Sequence, residues 1–187
     1  MITTIHKQLW VVIALCAIGF LVCQASAAGA SSQPGTAAIK KLTVTSTAFV
    51  TGGTIPSTYT CDGVDISTDI SWSTVPARTK SIAILVTDPD AHGFTHWIIF
   101  NIPATNTGLP SGIPKTASLA DGSRQGKNSF RNIGYDGPCP PSLHRYYFKV
   151  FALNKKLTIS GTPTKSKFMT AIKGHVIGQG KLIGRYG

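Results

Sequence analysis

The stretch Arg145-Tyr146-Tyr147-Phe148-Lys149-Val150-Phe151-Ala152-Leu153 decides the fold. Alternate side chains of an extended chain point to opposite faces. Here both faces are apolar: Tyr146, Phe148, Val150 and Ala152 on one, Tyr147, Phe151 and Leu153 on the other, with Lys149 the exception. A strand apolar on both sides is buried on both sides, so it belongs at the centre of a sheet. Working outward, Ser81 to Val86 and Trp97 to Ile102 are apolar runs rich in β-branched residues, and Leu42, Val44, Ser46 and Ala48 alternate with polar neighbours. Thr51-Gly52-Gly53, Asp62-Gly63, Pro110-Ser111-Gly112 and Asp121-Gly122 supply turns between the runs.

One helix is expected near the end. Thr162 suits its cap and Pro163 its first turn, and Phe168, Met169, Ile172 and Val176 recur at helical spacing up to Gly178, a stripe that reads as core packing. Gly108 to Arg131 holds little apolar content and reads as an extended surface excursion. The fold class is mainly β, most simply an antiparallel sandwich or barrel with a late helix packed against it.

The N-terminal residues stand apart from this pattern. His6 and Lys7 precede an almost unbroken apolar run from Leu9 to Val22, shorter than the about 20 residues a spanning helix needs. Ala25-Ser26-Ala27 follows with the small-x-small pattern of a cleavage site, so residues 1–27 read as a secretory signal peptide. Residues 28–40 are rich in Ala, Ser, Gly and Gln and read as a flexible leader, leaving 41–187 as a single domain. The expected location is the periplasm or the exterior of a bacterial cell.

The whole chain carries a formal charge of +11 and has no glutamate. All seven acidic residues lie between Asp62 and Asp136, whereas the chain from Gly137 onward is basic without an acid. A basic face of that kind suits an anionic membrane surface or another polyanion, and export leaves nucleic acid the least suited partner. The plainer reading is a solvated basic surface. Once Cys16 and Cys23 leave with the signal, Cys61 and Cys139 remain, an even number in an oxidising compartment, which suggests one disulfide.

Two segments gather the polar chemistry. Asp88-Pro89-Asp90-Ala91 leads to His96-Trp97, and Gly134-Tyr135-Asp136-Gly137-Pro138-Cys139-Pro140-Pro141 leads to His144-Arg145-Tyr146. Period two puts His144 and Tyr146 on one face of the central strand, and Asp88 and Asp90 on one side if the backbone stays extended through Pro89. A carboxylate bonded to one imidazole nitrogen leaves the other for an incoming anion, and the Gly137 N–H would complete a small cup. A structural reading, in which these groups only satisfy one another in turns, stands beside it. A metal set drawn from Asp88, His92, His96 and His144 is disfavoured, because His92 and His96 align only on a helix and Gly93 opens a strand pattern. No Gly-x-Ser-x-Gly elbow is present and nothing activates Ser142, so no enzyme activity, cofactor or metal is expected.

At these residues the chain resembles the phosphatidylethanolamine-binding protein family, in its bacterial Raf-kinase-inhibitor-like branch, from Leu42 to Gly187. The resemblance implies a sandwich of two antiparallel sheets with a helix near the C-terminus and an anion pocket for phosphate-like groups such as a phospholipid head group. It implies that Asp88 and Asp90 line and orient the site, that His96 and His144 donate to the ligand, and that Gly137, Pro138 and Tyr146 form its wall. It also supports the Cys61–Cys139 bridge. His92 and Ser67-Thr68-Asp69 depart from what relatives carry, and the first could alter the pocket rim. The function expected is an exported, non-enzymatic binder of phosphate- or carboxylate-bearing ligands, with modulation of a partner protein as a further role open to it. The alternative is an inhibitor of a protease or signalling protein that acts through its surface.

Overall fold

The structure is a computed structural model that describes residues 38–187. The expected signal peptide and most of the leader lie outside the described residues. Lys40, counted above with the leader, is the first residue of a strand.

The expected central strand is central. It forms β8 of the nine strands among the described residues: β1 (Lys40–Lys41), β2 (Val44–Thr45), β3 (Ile70–Trp72), β4 (Ser81–Asp88), β5 (Phe94–Pro103), β6 (Gly108–Leu109), β7 (Arg124–Gln125), β8 (His144–Leu153) and β9 (Val176–Tyr186). One helix, α1 (Lys165–Ile172), precedes β9. The larger sheet runs β1-β9-β8-β4-β5-β7, and the smaller runs β2-β3-β6. Both faces of β4 and most of β8 are covered, which is why their central residues are apolar on both faces, Lys149 apart. Phe148, Val150 and Ala152 pack with Ile82, Ile84 and Trp72 between the sheets, while Phe151 and Leu153 pack with Ala83, Phe100 and Phe168 beneath α1.

Four expectations need correction. The alternating run from Leu42 to Ala48 is not one strand along its length: only Val44–Thr45, β2, is a strand, paired with β3 in the smaller sheet, while β1 just before the run pairs with β9 in the larger. The β1–β9 pairing is parallel, so the larger sheet is antiparallel except at that edge. The helix ends at Ile172, and Val176 opens β9 opposite Leu153; Met169 is 40% exposed rather than packed in the core. The excursion from Gly108 to Arg131 is not wholly superficial either, because Gln125 is buried and accepts the Trp97 indole N–H at 2.6 Å.

The sequence patterns did not point to β9. It is broken by glycines, and Gly180 shows why: a Cβ there would run into the carbonyl oxygen of Leu42, which crosses close against the strand. The segment that links the two sheets needs that gap. Of the departures noted above, Asp69 accepts from the Ser46 hydroxyl and the Thr47 N–H, both at 2.8 Å, whereas the buried Thr68 hydroxyl has no hydrogen-bond partner.

Candidate functional site

Three neighbouring strands, β5, β4 and β8, end side by side and bring His96, Asp88, His144 and Tyr146 together. They line a cavity of about 250 Å³ with Ala91, Phe94, Phe130, Cys139, Pro140 and Pro141. Among the described residues no lysine or arginine lines it.

Asp88 is the hub. Its Oδ1 accepts the backbone N–H groups of Asp90 and Ala91 at 2.8 and 3.0 Å, which fixes the turn after Pro89, and its Oδ2 accepts from His144 Nδ1 at 2.7 Å. The His96 Nδ1 lies 2.8 Å from the Asp136 carbonyl oxygen. A carbonyl oxygen only accepts, so Nδ1 carries the proton and Nε2 is the nitrogen left for a ligand. The same logic applies to His144 against the Asp88 carboxylate. Burial holds the His96 pKa below its ordinary value, although the Asp136 carbonyl and the Asp88 charge act the other way. Burial, reinforced by the Asp88 carboxylate, pushes the Tyr146 phenol above its ordinary range, so it stays a neutral donor. His96 also lies edge-on between Tyr146, at 5.2 Å between ring centroids, and Phe130, at 5.7 Å.

The remaining residues expected at the site support it from outside the lining. Asp90 turns away to Arg145, accepting Nε at 3.0 Å and a terminal guanidinium nitrogen at 2.6 Å. The guanidinium bonds hold its carboxyl down to about 2. The Gly137 N–H, expected to face a ligand, donates instead to Asp65 Oδ1 at 2.6 Å. Glycine is required there because a Cβ would collide with the Tyr59 carbonyl oxygen and come within 2.7 Å of Thr60 Cα. The Pro138 carbonyl accepts the Cys61 N–H at 3.0 Å, and the disulfide joins Cys61 to Cys139. His92 sits in a turn at φ 54° and borders a neighbouring groove rather than this cavity, and among the described residues no three His, Cys, Asp or Glu side chains are grouped to hold a metal ion.

Beneath the cavity lies a polar network that sequence reasoning missed. Lys115 Nζ bridges Asp65 at 2.8 Å and Asp136 at 2.7 Å, and Asn128 and Asn132 donate to the other Asp136 oxygen. Burial pushes the Asp136 carboxyl up, but these bonds hold it below its ordinary value. The network fixes the backbone whose carbonyl orients His96. Phe94 could have been found, since it stands two residues before His96 on one strand face; nothing in the sequence ties Phe130, on a distant loop, to the site.

A two-sheet β protein with a small cavity at the ends of its central strands is thus the class defined by fold and site. Residues 45–187 match the family model described as Phosphatidylethanolamine-binding protein, and the chain belongs to that family. A UPF0098 protein of Methanothermobacter thermautotrophicus is 49% identical over 142 residues, covering 74% of this chain and 94% of its own. Among solved structures, a putative phosphatidylethanolamine-binding protein homolog from Chlamydia trachomatis matches with a TM-score of 0.71 and 36% identity, over 79% of this chain and 98% of its own. YbcL of E. coli, described as a new member of the mammalian family, matches at 0.69 and 32%, over 78% and 97%.

Proposed function

We propose that this protein is an exported binding protein whose strand-end cavity takes the terminal phosphate or carboxylate of a small ligand, such as a phospholipid head group. The observation that carries the reading is the pair of imidazoles, His96 and His144, each tied through Nδ1 so that Nε2 is left to the ligand. Phe94, Phe130 and Tyr146 supply an apolar rim that excludes water and strengthens each polar contact. The lock on the loop by Lys115, Gly137 and the disulfide lowers the ordering cost of binding.

Protons are part of this function. With both rings neutral the only formal charge on the lining is that of Asp88, which repels an anion. Protonation of one ring, or a proton brought by the ligand, cancels that charge, and protonation of both rings would reverse it. No nucleophile activated by a base is part of this reading, and binding rather than turnover is its output.

Calorimetric titration of phosphoethanolamine into wild type and His144→Ala at mildly acidic pH tests the proposal. Saturable binding by wild type that weakens at least about tenfold in the variant is expected, as for loss of one charge-assisted hydrogen bond. Equal affinity in both refutes the assignment. Capture of a partner protein that is undiminished by His144→Ala, with no small-anion binding, would favour inhibition through the surface instead.

A further inference from the structure

We propose that the α1 face of the larger sheet, where Lys41, Lys181 and Lys149 stand on three adjacent strands beside Ile39, Phe151 and Met169, binds a single-headed anionic amphiphile: an alkyl chain ending in phosphate, sulfate or carboxylate. The site is separate from the strand-end cavity and shares no lining residue with it. A groove of about 600 Å³ runs between these side chains, within the size range of pockets that hold small organic ligands.

The charge arrangement calls for an anion. Lys149 and Lys181 are direct cross-strand partners in the β8–β9 register, a placement in which like charges repel. Lys41 extends the row, opposite Gln179 on the other side of β9. Among the described residues no aspartate pairs with them. There is no glutamate, and all seven aspartates are engaged elsewhere: Asp62 with Tyr186, Asp65 and Asp136 with Lys115, Asp69 with Ser46, Asp88 with His144, Asp90 with Arg145, and Asp121 with Ser123. The one internal compensation is the Tyr147 ring, whose centroid lies 4.0 Å from Lys181 Nζ and 5.7 Å from Lys149 Nζ. Burial, together with the repulsion of Lys181 and Lys165, lowers the Lys149 pKa, as expected of an ammonium lacking its counter-ion.

The apolar part of the groove specifies what the anion carries. Ile39 is 51% exposed and Met169 40%, both large side chains left in water beside the lysine row. An inorganic anion would leave that wall bare, and a neutral chain would leave the lysines unanswered. An amphiphile satisfies both, with the head across the lysines and the tail along Ile39, Phe151 and Met169.

Met169 provides the test, because Met1 is the only other methionine of the chain. The full chain labelled with 13C at the methionine methyl groups is titrated with dissolved decyl phosphate, and Met169→Leu assigns the resonance. A saturable shift of the Met169 methyl is expected, at least about tenfold weaker with 1-decanol or hexyl phosphate, since each buried methylene adds roughly fourfold. Lys149→Gln combined with Lys181→Gln should weaken decyl phosphate by at least about tenfold while leaving the circular dichroism spectrum intact. His144→Ala should leave the Met169 shift unchanged, which separates this site from the strand-end cavity. Equal binding of decanol, indifference to the lysine variants, or loss of the shift in His144→Ala overturns the proposal. So does binding to vesicles of anionic phospholipid with none to dissolved decyl phosphate, which would make this face a membrane contact.

Discussion

Sulfate carries no exchangeable proton near neutral pH, so its binding at the strand-end cavity draws every proton it needs from the protein. His96 Nδ1 is committed to the Asp136 carbonyl and His144 Nδ1 to Asp88, and each Nε2 therefore becomes a donor only when its ring is protonated. The sign follows directly. Raising the pH strips the form that binds, and affinity falls as pH rises. Burial lowers the His96 pKa and so favours the neutral ring in the free protein, and a sulfate that requires it protonated takes up one proton wherever the free ring is neutral. One proton corresponds to tenfold per pH unit, or about 30-fold between about pH 6.5 and about pH 8, equal to about 2 kcal/mol. A monoanionic phosphomonoester can donate its own O–H to one Nε2 and should show a shallower dependence. Isothermal titration calorimetry in buffers of different ionisation enthalpy counts the protons, and His96→Gln should remove one from the sulfate count. Sulfate binding at the cavity with flat affinity over this range and no proton uptake would refute the tautomers and the reasoning built on them.

Thr68→Val should stabilise the protein by about 1 kcal/mol, because the buried hydroxyl lacks a partner and the swap removes that cost at nearly constant shape; thermal unfolding should show a rise of a few degrees. Gly137→Ala should destabilise by about 2 kcal/mol or more, since the methyl group meets backbone rather than a flexible side chain; urea titration showing no loss would mean the loop yields freely. Replacing both Cys61 and Cys139 with serine opens a bridge spanning 78 residues and should cost about 4.5 kcal/mol by loop-closure entropy, measured against the oxidised protein by chemical denaturation.

How much of this was legible in the sequence differs between elements for physical reasons. β4, β5 and β8 are buried on both sides over most of their length, so most of their residues are apolar and the pattern declares itself. β9 is as long but lies under a crossing segment, and the glycines that make room for it erase the pattern. At the site, His96, Asp88, His144 and Tyr146 were found because strand ends and period two fix where side chains point. Asp90 and Gly137 were assigned to the lining because residue type cannot say whether a carboxylate or an N–H faces a ligand or a neighbour. Arg145 and Asp65 decided that, from more than fifty positions away in each case.

The parallel edge of the larger sheet has a mechanical consequence. β1 runs beside β9 in the same direction, and Gly53 to Ile55 meets the same strand again in parallel at Arg185. Tension applied between residue 38 and Gly187 therefore slides these segments along β9 and loads their hydrogen bonds in shear, several at once, where an antiparallel hairpin would unzip one bond at a time. A pull transmitted through the N-terminal end of the domain thus meets hydrogen bonds loaded in shear.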